Sequence, residues 1–434
     1  MKAKNILAIL ISSITFTVSS ISYSTLPSAV CVSTESTVLN ENLNDSKAFD
    51  YAKRLLSEFY LSVDQYADFN ISKYCTSTEL SSYITNKVIA SQYKSIAYGA
   101  DDITNYALSF TLLRENEYDG LIYLDVLSDV SYNYKGSTCD SAYGEESNFI
   151  LKEYGESYVL LDWFMPYDLY DTTIRGDISD TPSLYSNPSS AIDIDILDKQ
   201  TLINEQIKDY YKRLCETNQV TSANEPSIID NNNINTTAVT SLHNLNKSNI
   251  STWALNNYNL TTPSSGNSSL VSSYYDFSTI SGNYDCTNFV SHAILAGGTV
   301  LYDTGNTGIS SSGWYFRNIS NRSSSWSGVS NLYNFLTNNS NRGPCATELS
   351  YSHIYAPSGN FPYTYGDIMQ FHNGSIWRHS AVITSYVYLN GSSTTLEAAV
   401  TYRSSYTSYA KNKRQSEVYA GYNRRVLKLN GYYS

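Results

Sequence analysis

The sequence predicts an α+β protein in two parts, each of which combines short helices with an antiparallel sheet. In the first part, apolar residues at helical spacing over residues 49–88 precede alternating strand patterns between residues 106 and 164. In the second part, a short apolar helix begins at Cys286, and strand patterns follow Gly366. Polar stretches with few apolar residues separate the two parts and indicate linkers.

The N-terminus has the pattern of a secretory signal. Lys2 and Lys4 precede an apolar run from residue 6 to residue 18, and small residues follow. The run is short for a membrane span and is interrupted by hydroxyl residues. Lipidation of Cys31 is disfavoured because the preceding Val30 is larger than a lipobox normally allows. We therefore expect residues 1–30 to be a signal peptide and the mature protein to be secreted without a membrane span.

Charge and length set the remaining bounds. The net charge of −12 argues against nucleic acid and anionic membrane surfaces as partners. A chain of 434 residues is long enough for two or three domains. We expect an N-terminal α+β domain over residues 36–175, a linker with one helix around residues 202–214 over residues 176–245, and a second domain over residues 246–434.

The first domain is predicted element by element. Phe49 to Val63 and Leu80 to Val88 have the spacing of amphipathic helices. Residues 106–112 and 121–130 alternate as strands, and residues 149–164 form a hairpin around Tyr154-Gly155. Two helices followed by an antiparallel sheet resemble the NTF2-like or cystatin-like cones. The domain has no constellation of catalytic residues in its sequence.

Cys286 is the candidate nucleophile. Asp285 before it is a good N-cap residue, because its carboxylate can accept backbone N–H groups of the first helical turn. Gly297-Gly298 ends the helix. The helix dipole favours a thiolate at this position by about 0.3–1 kcal/mol, which is too little to ionise a thiol of pKa ~8.5 at neutral pH. A histidine partner is therefore needed.

His379 is the candidate base among the five histidines. His292 lies six residues after the cysteine and points to another helix face. His243 and His353 lie in polar segments without periodicity, and His372 precedes a hairpin turn. His379 instead begins a strand. A cysteine at a helix start followed much later by a strand histidine is the arrangement of papain-like thiol enzymes.

The second half resembles the bacterial putative amidase domain family, which is related to the NlpC/P60 and CHAP groups of papain-like hydrolases. The resemblance covers about residues 250–430. It implies a papain-like domain and a hydrolase that uses Cys286 as nucleophile and His379 as base, with no cofactor and no metal. It rests on these motifs, in chain order: Ala254, Tyr258, Tyr275-Asp276-Phe277, Asp285 to Ser291 with Ala296-Gly297-Gly298, Ser325-Trp326 with Leu332 and Phe335-Leu336, Gly366 to Phe371, and His379 to Thr384.

Tyr402 is the candidate orienting residue, although members of the family often have histidine there. A two-residue turn at Asn390-Gly391 would pair residue 389 with residue 392 and place Tyr402 opposite His379. Alternation then puts Tyr402 and His379 on one sheet face and Glu397 on the other. We therefore expect the phenol of Tyr402, and not the Glu397 carboxylate, to orient the imidazole.

The long segment over residues 299–365 is rich in Gly, Ser and Asn and is expected to form a wall of the substrate cleft. Trp314 is a candidate aromatic surface there, whereas Trp326 is expected to pack in the core. Four cysteines remain besides Cys31 and the nucleophile. They allow two disulfides or free buried thiols: Cys75, Cys139, Cys215 and Cys345.

The sequence thus predicts a secreted cysteine amidohydrolase or peptidase, for which cell-wall peptides are the natural substrate class. Two alternatives stay open. One is an inactive wall- or surface-binding protein, suggested by the departure at Tyr402. The other is a zinc hydrolase that uses Asp367, His372 and His379, although their spacing matches no known zinc signature.

Overall fold

The computed structural model describes most of two long segments of the chain. The described residues are 46–65, 67–98, 103–137, 139–166, 168, 170–171, 241–260, 274–279, 284–349, 355–357, 361–389, 394–419 and 422–434. The predicted signal peptide, the helix around residues 202–214, and the residues Cys31, Cys215 and His353 lie outside this description. Within it, no helix is both long and apolar enough to cross a membrane.

The N-terminal half contains two helices followed by four antiparallel strands. Both predicted helices and the predicted strands are present. Their bounds are α1 Lys47–Gln65, α2 Thr78–Tyr98, β1 Ile103–Tyr118, β2 Leu121–Tyr134, β3 Asp140–Tyr154 and β4 Ser157–Phe164. The apolar faces of the helices pack on the sheet, so that Leu55, Tyr83, Leu124 and Trp163 are buried in one core.

The C-terminal half contains helices α3 Lys247–Asn257, α4 Cys286–Ala296, α5 Ser324–Ser327 and α6 Val329–Asn338. Its strands are β5 Leu242–His243, β6 Ile309–Ser310, β7 Phe316–Asn318, β8 Asn321–Ser323, β9 Gly343–Leu349, β10 Tyr355–Pro357, β11 Ile368–His372, β12 Trp377–Tyr388, β13 Thr395–Ser405, β14 Ser408–Arg414 and β15 Asn423–Tyr433. The predicted hairpin around Asn373-Gly374 joins β11 to β12. Helix α4 contacts β12 and β13.

One 12-stranded sheet runs through both halves, in the order β1-β2-β3-β14-β13-β12-β11-β15-β5, with further pairs β4 to β3, β9 to β15 and β10 to β13. All of these pairs are antiparallel. The overall class is therefore α+β with a large antiparallel sheet. The halves meet where β14 pairs with β3 over Ala142 to Gly144. Whether residues 246–434 fold alone stays a prediction.

The predicted register between β12 and β13 is wrong, although the predicted sheet face is correct. Tyr388 pairs with Leu396, and the N–H of Leu389 donates to the carbonyl of Thr395 at 2.9 Å, so the loop is longer than two residues. A bulge between Ile383 and Ser385 then shifts the pairing by one residue, so that the side chains beyond it lie on the predicted faces of the sheet. Four apolar residues consequently share one core as expected: Ala381, Ile383, Ala398 and Val400.

Trp314 does not present an aromatic surface. Its side chain is fully buried, its ring lies 4.8 Å from that of Trp326, and its Nε1–H donates to Ser291 Oγ at 3.2 Å. Both tryptophans therefore belong to the core under α4. Among the described cysteines, Cys75, Cys139 and Cys345 are free thiols.

Candidate active site

Cys286 is the first residue of α4, but Asp285 does not cap the helix with its side chain. The expected capping bond is absent because the carboxylate has other partners. Asp285 Oδ1 accepts from the backbone N–H of Phe277 at 3.1 Å and from Asn288 Nδ2 at 2.9 Å. Oδ2 accepts from Tyr274 and from Arg403. Asp285 therefore anchors the helix start laterally to neighbouring segments.

Arg403 on β13 is the centre of this anchoring, and sequence reasoning missed it. Its side chain is fully buried, and its guanidinium pairs with both Asp276 and Asp285. Its Nε–H also donates to the carbonyl of Leu260 at 2.9 Å. Burial raises the pKa of the Asp285 carboxyl to about 7, and Arg403 offsets part of this rise. The sequence feature that could have indicated this ion-pair cluster is an arginine inside an apolar strand, together with two acidic residues near the cysteine motif.

His379 lies near the start of β12 and is buried among aromatic rings. The ring centroids of Tyr402 and Tyr419 lie 4.5 Å and 4.7 Å from that of the imidazole. Nδ1 lies 3.4 Å from Ser404 Oγ. Nε2 has no hydrogen-bond partner among the described residues, and this nitrogen is buried. The imidazole thus has one occupied and one open nitrogen.

Tyr402 contacts His379 through its ring, at an interplanar angle of 86°. The polar atom beside the imidazole is the hydroxyl of Ser404, which sequence reasoning did not select. The predicted register placed position 402 opposite His379. The observed pairing of Val382 with Thr401 differs from that register by two residues along β13. An orienting role for Tyr402 stays a prediction, and Ser404 is the candidate that the hydrogen-bond geometry supplies.

Two serines, Ser404 and Ser380, connect the start of α4 with the surroundings of His379. The backbone N–H of Asp285 donates to the carbonyl of Ser404 at 2.8 Å, which ties the helix start to the residue beside His379. On the other side, Thr287 Oγ1 lies 3.4 Å from Ser380 Oγ, and Ser380 follows His379 directly. These contacts place the start of α4 beside the β12 and β13 residues that lie next to His379.

Burial keeps both groups neutral. It raises the pKa of the Cys286 thiol above its ordinary value, although the backbone amide of Ser380 and the Thr287 hydroxyl lower it in part. It also lowers the pKa of the His379 imidazole to about 3. Cys286 Sγ lies 3.8 Å from Thr287 Oγ1. A thiolate–imidazolium pair is therefore disfavoured in this structure.

A buried polar network supports the strand that carries His379. Gln370 Nε2 donates to Ser380 Oγ at 3.1 Å, and Arg425 Nη2 donates to Gln370 Oε1 at 2.7 Å. The Arg425 guanidinium lies 3.5 Å from the ring centroid of Tyr333 and 3.8 Å from that of Trp377. The network links β11, β12 and β15 and holds Ser380 in place.

The two side chains that the sequence patterns excluded from the site, His292 and Glu397, do lie elsewhere. His292 is buried in the core under α4, where its ring stacks on Trp253 at 5.9 Å. Glu397 is buried and accepts from the backbone N–H and the hydroxyl of Ser416, both at 3.0 Å. It therefore lies away from the imidazole, as parity predicted.

The positions of Asp367, His372 and His379 do not fit the zinc site that the third hypothesis requires. Asp367 is buried and accepts from Lys247 Nζ at 2.6 Å and from the N–H of Leu429 at 2.8 Å. His372 Nδ1 accepts from the N–H of Gly374 at 3.1 Å. Among the described residues, no group of three or more His, Cys, Asp or Glu side chains is arranged to hold a metal ion.

Comparison with known families bears on the same region. The family model described as a putative amidase domain matches residues 244–427. The match contains Cys286, His379, Arg403 and Ser404, and it supports a hydrolase that acts on amides. No curated protein and no solved structure matched the chain. The N-terminal half lies outside the matched residues.

Proposed function

We propose that this protein is a secreted cysteine-dependent amidohydrolase, in which Cys286 is the nucleophile and His379 is the general base. The amidase-domain match supports amide hydrolysis, and the contacts through Ser404 carry the assignment of residues. Ser404 binds the helix start through its carbonyl and lies at His379 Nδ1 through its hydroxyl. The relation to NlpC/P60 and CHAP hydrolases with a papain-like fold is part of this proposal, supported by the order of helix cysteine and strand histidine.

The chemistry follows from the open nitrogen of His379. As Cys286 Sγ attacks the amide carbonyl, His379 Nε2 takes the thiol proton. Backbone N–H groups at the start of α4 stabilise the oxyanion. The C–N bond then breaks, the amine leaves with the proton from His379, and an acyl thioester remains. Water, deprotonated by Nε2, hydrolyses this thioester and restores the thiol.

Ser404 has a defined part in this scheme. Because Nε2 must be free to accept a proton, Nδ1 carries the ring hydrogen and donates to Ser404 Oγ. The hydroxyl therefore selects the tautomer. A serine stabilises the imidazolium less than a carboxylate would, because the hydrogen bond lacks a charged acceptor.

Peptide amides of the bacterial cell wall are the substrate class that we propose, on the basis of the predicted export and the amidase resemblance. The second candidate function is a wall-binding protein without activity. Its support is the burial of the pair, since Cys286 is only 3% exposed and His379 only 2%. Export and substrate class are common to both functions, so only turnover separates them.

The test is hydrolysis of peptidoglycan by the purified protein, with mass spectrometry of the new amines and fragments. The wild type should release them, and Cys286→Ala should not, while its unfolding midpoint stays close to that of the wild type. Cys139→Ala is the matched control, because Cys139 is a free thiol in the N-terminal half. Undiminished hydrolysis by Cys286→Ala would refute the mechanism.

A further inference from the structure

A cavity of about 440 Å³ lies between the two halves of the molecule. The C-terminal half contributes His379 and Ser404 to its lining, so the cavity borders the candidate base, whereas Cys286 is not among the lining residues. The N-terminal half contributes an aromatic wall that includes Tyr60, Tyr106 and Tyr143. The amidase-domain match does not include this wall, yet the wall faces the candidate base.

The acidic side chains of the cavity are already engaged by the protein. Glu145 Oε2 accepts from the hydroxyl of Tyr60 at 3.0 Å. Glu417 Oε2 accepts from the hydroxyl of Tyr134 at 3.0 Å, and its other oxygen lies 3.6 Å from Arg414 Nη1. These carboxylates are therefore held as parts of the wall.

Lys413, by contrast, is a charged side chain of the cavity that has no ion-pair partner among the described residues. Its ammonium lies over the ring of Tyr143, 4.3 Å from the centroid, and it lines the cavity. Among the described residues, no carboxylate oxygen lies within 4.0 Å of Lys413 Nζ, the distance that defines an ion pair. Burial lowers the pKa of Lys413 to about 8, and Glu417 offsets part of this effect. A partly desolvated ammonium of this kind gains stabilisation when an anion enters the cavity.

We propose that this cavity is the substrate pocket, that the N-terminal half builds its outer wall, and that Lys413 binds a carboxylate of a peptide substrate. The proposal rests on the proposed function, because His379 is the link between the cavity and the reaction. Tyrosine rings provide flat apolar area and hydroxyl groups, which suits contact with a short peptide. A peptide with a free carboxylate would place an amide near His379 while its charge lies at Lys413.

The experiment compares two peptides that differ only in charge, acetyl-trialanine and its C-terminal amide. Binding is measured by titration calorimetry on the full chain carrying Cys286→Ala, so that turnover plays no part. The free acid should bind about tenfold more tightly than the amide. Lys413→Met should abolish this preference. Lys411→Met should keep it, because Lys411 lies on the same strand but over the ring of Tyr258 and outside the cavity lining.

The outer wall is tested with two tyrosines of β1. Tyr106→Ala should weaken binding of both peptides about threefold or more, because Tyr106 lines the cavity. Tyr118→Ala should have no effect, since Tyr118 is 66% exposed at the far end of the strand. Equal binding of acid and amide, a preference retained by Lys413→Met, or binding of neither peptide would overturn the proposal.

The two proposals fail in different ways. A carboxylate preference that depends on Lys413, in a protein that hydrolyses no amide, would refute the proposed function and leave the pocket assigned. Hydrolysis that depends on Cys286, without any carboxylate preference, would refute the pocket assignment and leave the function standing.

Discussion

At the scale of single residues, Cys286 and His379 are held by hydrogen bonds to serines within a buried, aromatic site. Two effects act on the thiol in opposite directions. The start of α4 and nearby N–H groups favour the thiolate, and burial favours the thiol. Burial prevails in the structure, and the same effect keeps His379 neutral.

Alkylation of Cys286 should therefore be slow at neutral pH and should increase with pH beyond the ordinary thiol pKa of about 8.5. The thiol pKa is raised, so the reactive thiolate forms only as the pH approaches that raised value. His379, with a pKa of about 3, supplies no positive charge over this range. Mass spectrometry of iodoacetamide labelling across pH 6 to about 10 measures this profile. Rapid labelling that is constant from pH 6 to pH 7 would instead indicate a preformed ion pair.

Ser404→Ala should lower kcat roughly tenfold with little change in KM, because the variant loses the group that selects the imidazole tautomer. Tyr402→Phe should have a smaller effect, since the ring of Tyr402 contacts His379 at its edge and the ring is retained. Glu397→Gln is the control away from the imidazole. A larger loss in Tyr402→Phe than in Ser404→Ala would restore Tyr402 as the orienting residue.

At the scale of secondary-structure elements, the position of α4 depends on a buried ion-pair cluster. Arg403 on β13 binds Asp285 at the helix start and Asp276 in the preceding segment. Strand β13 also carries Ser404, so the same element positions both members of the proposed pair. Removal of one partner from such a cluster leaves charge buried without compensation.

Arg403→Leu should accordingly reduce the free energy of unfolding by about 3–5 kcal/mol, measured by urea denaturation. Arg317→Ala is the matched control, because Arg317 pairs with Asp303 at the surface, where both side chains are about a third exposed. The control should have a much smaller effect. Equal effects of the two variants would mean that the buried cluster does not determine the stability of the helix start.

At the scale of the whole molecule, the two halves share one sheet and a polar interface. Ser141 Oγ donates to the carbonyl of Asn412 at 2.9 Å, and the N–H of Arg414 donates to the hydroxyl of Tyr134 at 3.0 Å. A Cβ at Gly144 would lie 2.5 Å from the ring of Tyr409, so the strands are close at this point. Gly144 and Tyr409 also line the cavity between the halves.

Limited proteolysis should cut within residues 170–250, which the composition indicates as linkers, and the two fragments should still elute together in gel filtration. The pairing of β3 with β14 and the buried hydrogen bonds would hold them. Gly144→Val should weaken this association, because the larger side chain displaces Tyr409. Fragments of the wild type that separate without denaturant would show that the shared sheet contributes little to the assembly.

The sequence by itself determined many of the elements and the choice of Cys286 and His379 as the proposed pair. Helices α1 and α2, strands β1 to β4 and the start of α4 depend on local periodicity and turn residues, which act over a few positions. Cys286 and His379 were selected because one begins a helix and the other begins a strand. The contact of His379 with Ser404, and that of Thr287 beside Cys286 with Ser380, support that selection.

The tertiary structure alone decided which residues surround the pair. The pairing of β3 with β14 joins strands more than 260 residues apart, and no local pattern records it. The longer loop between β12 and β13 and the bulge in β12 together shift the register by two positions from the prediction, and this brings Ser404 to His379 in place of Tyr402. The charged partners of Asp285 and the burial that neutralises the pair also depend on distant segments. Register, burial and ion pairing result from packing between remote parts of the chain, whereas helices and strands result from neighbouring residues.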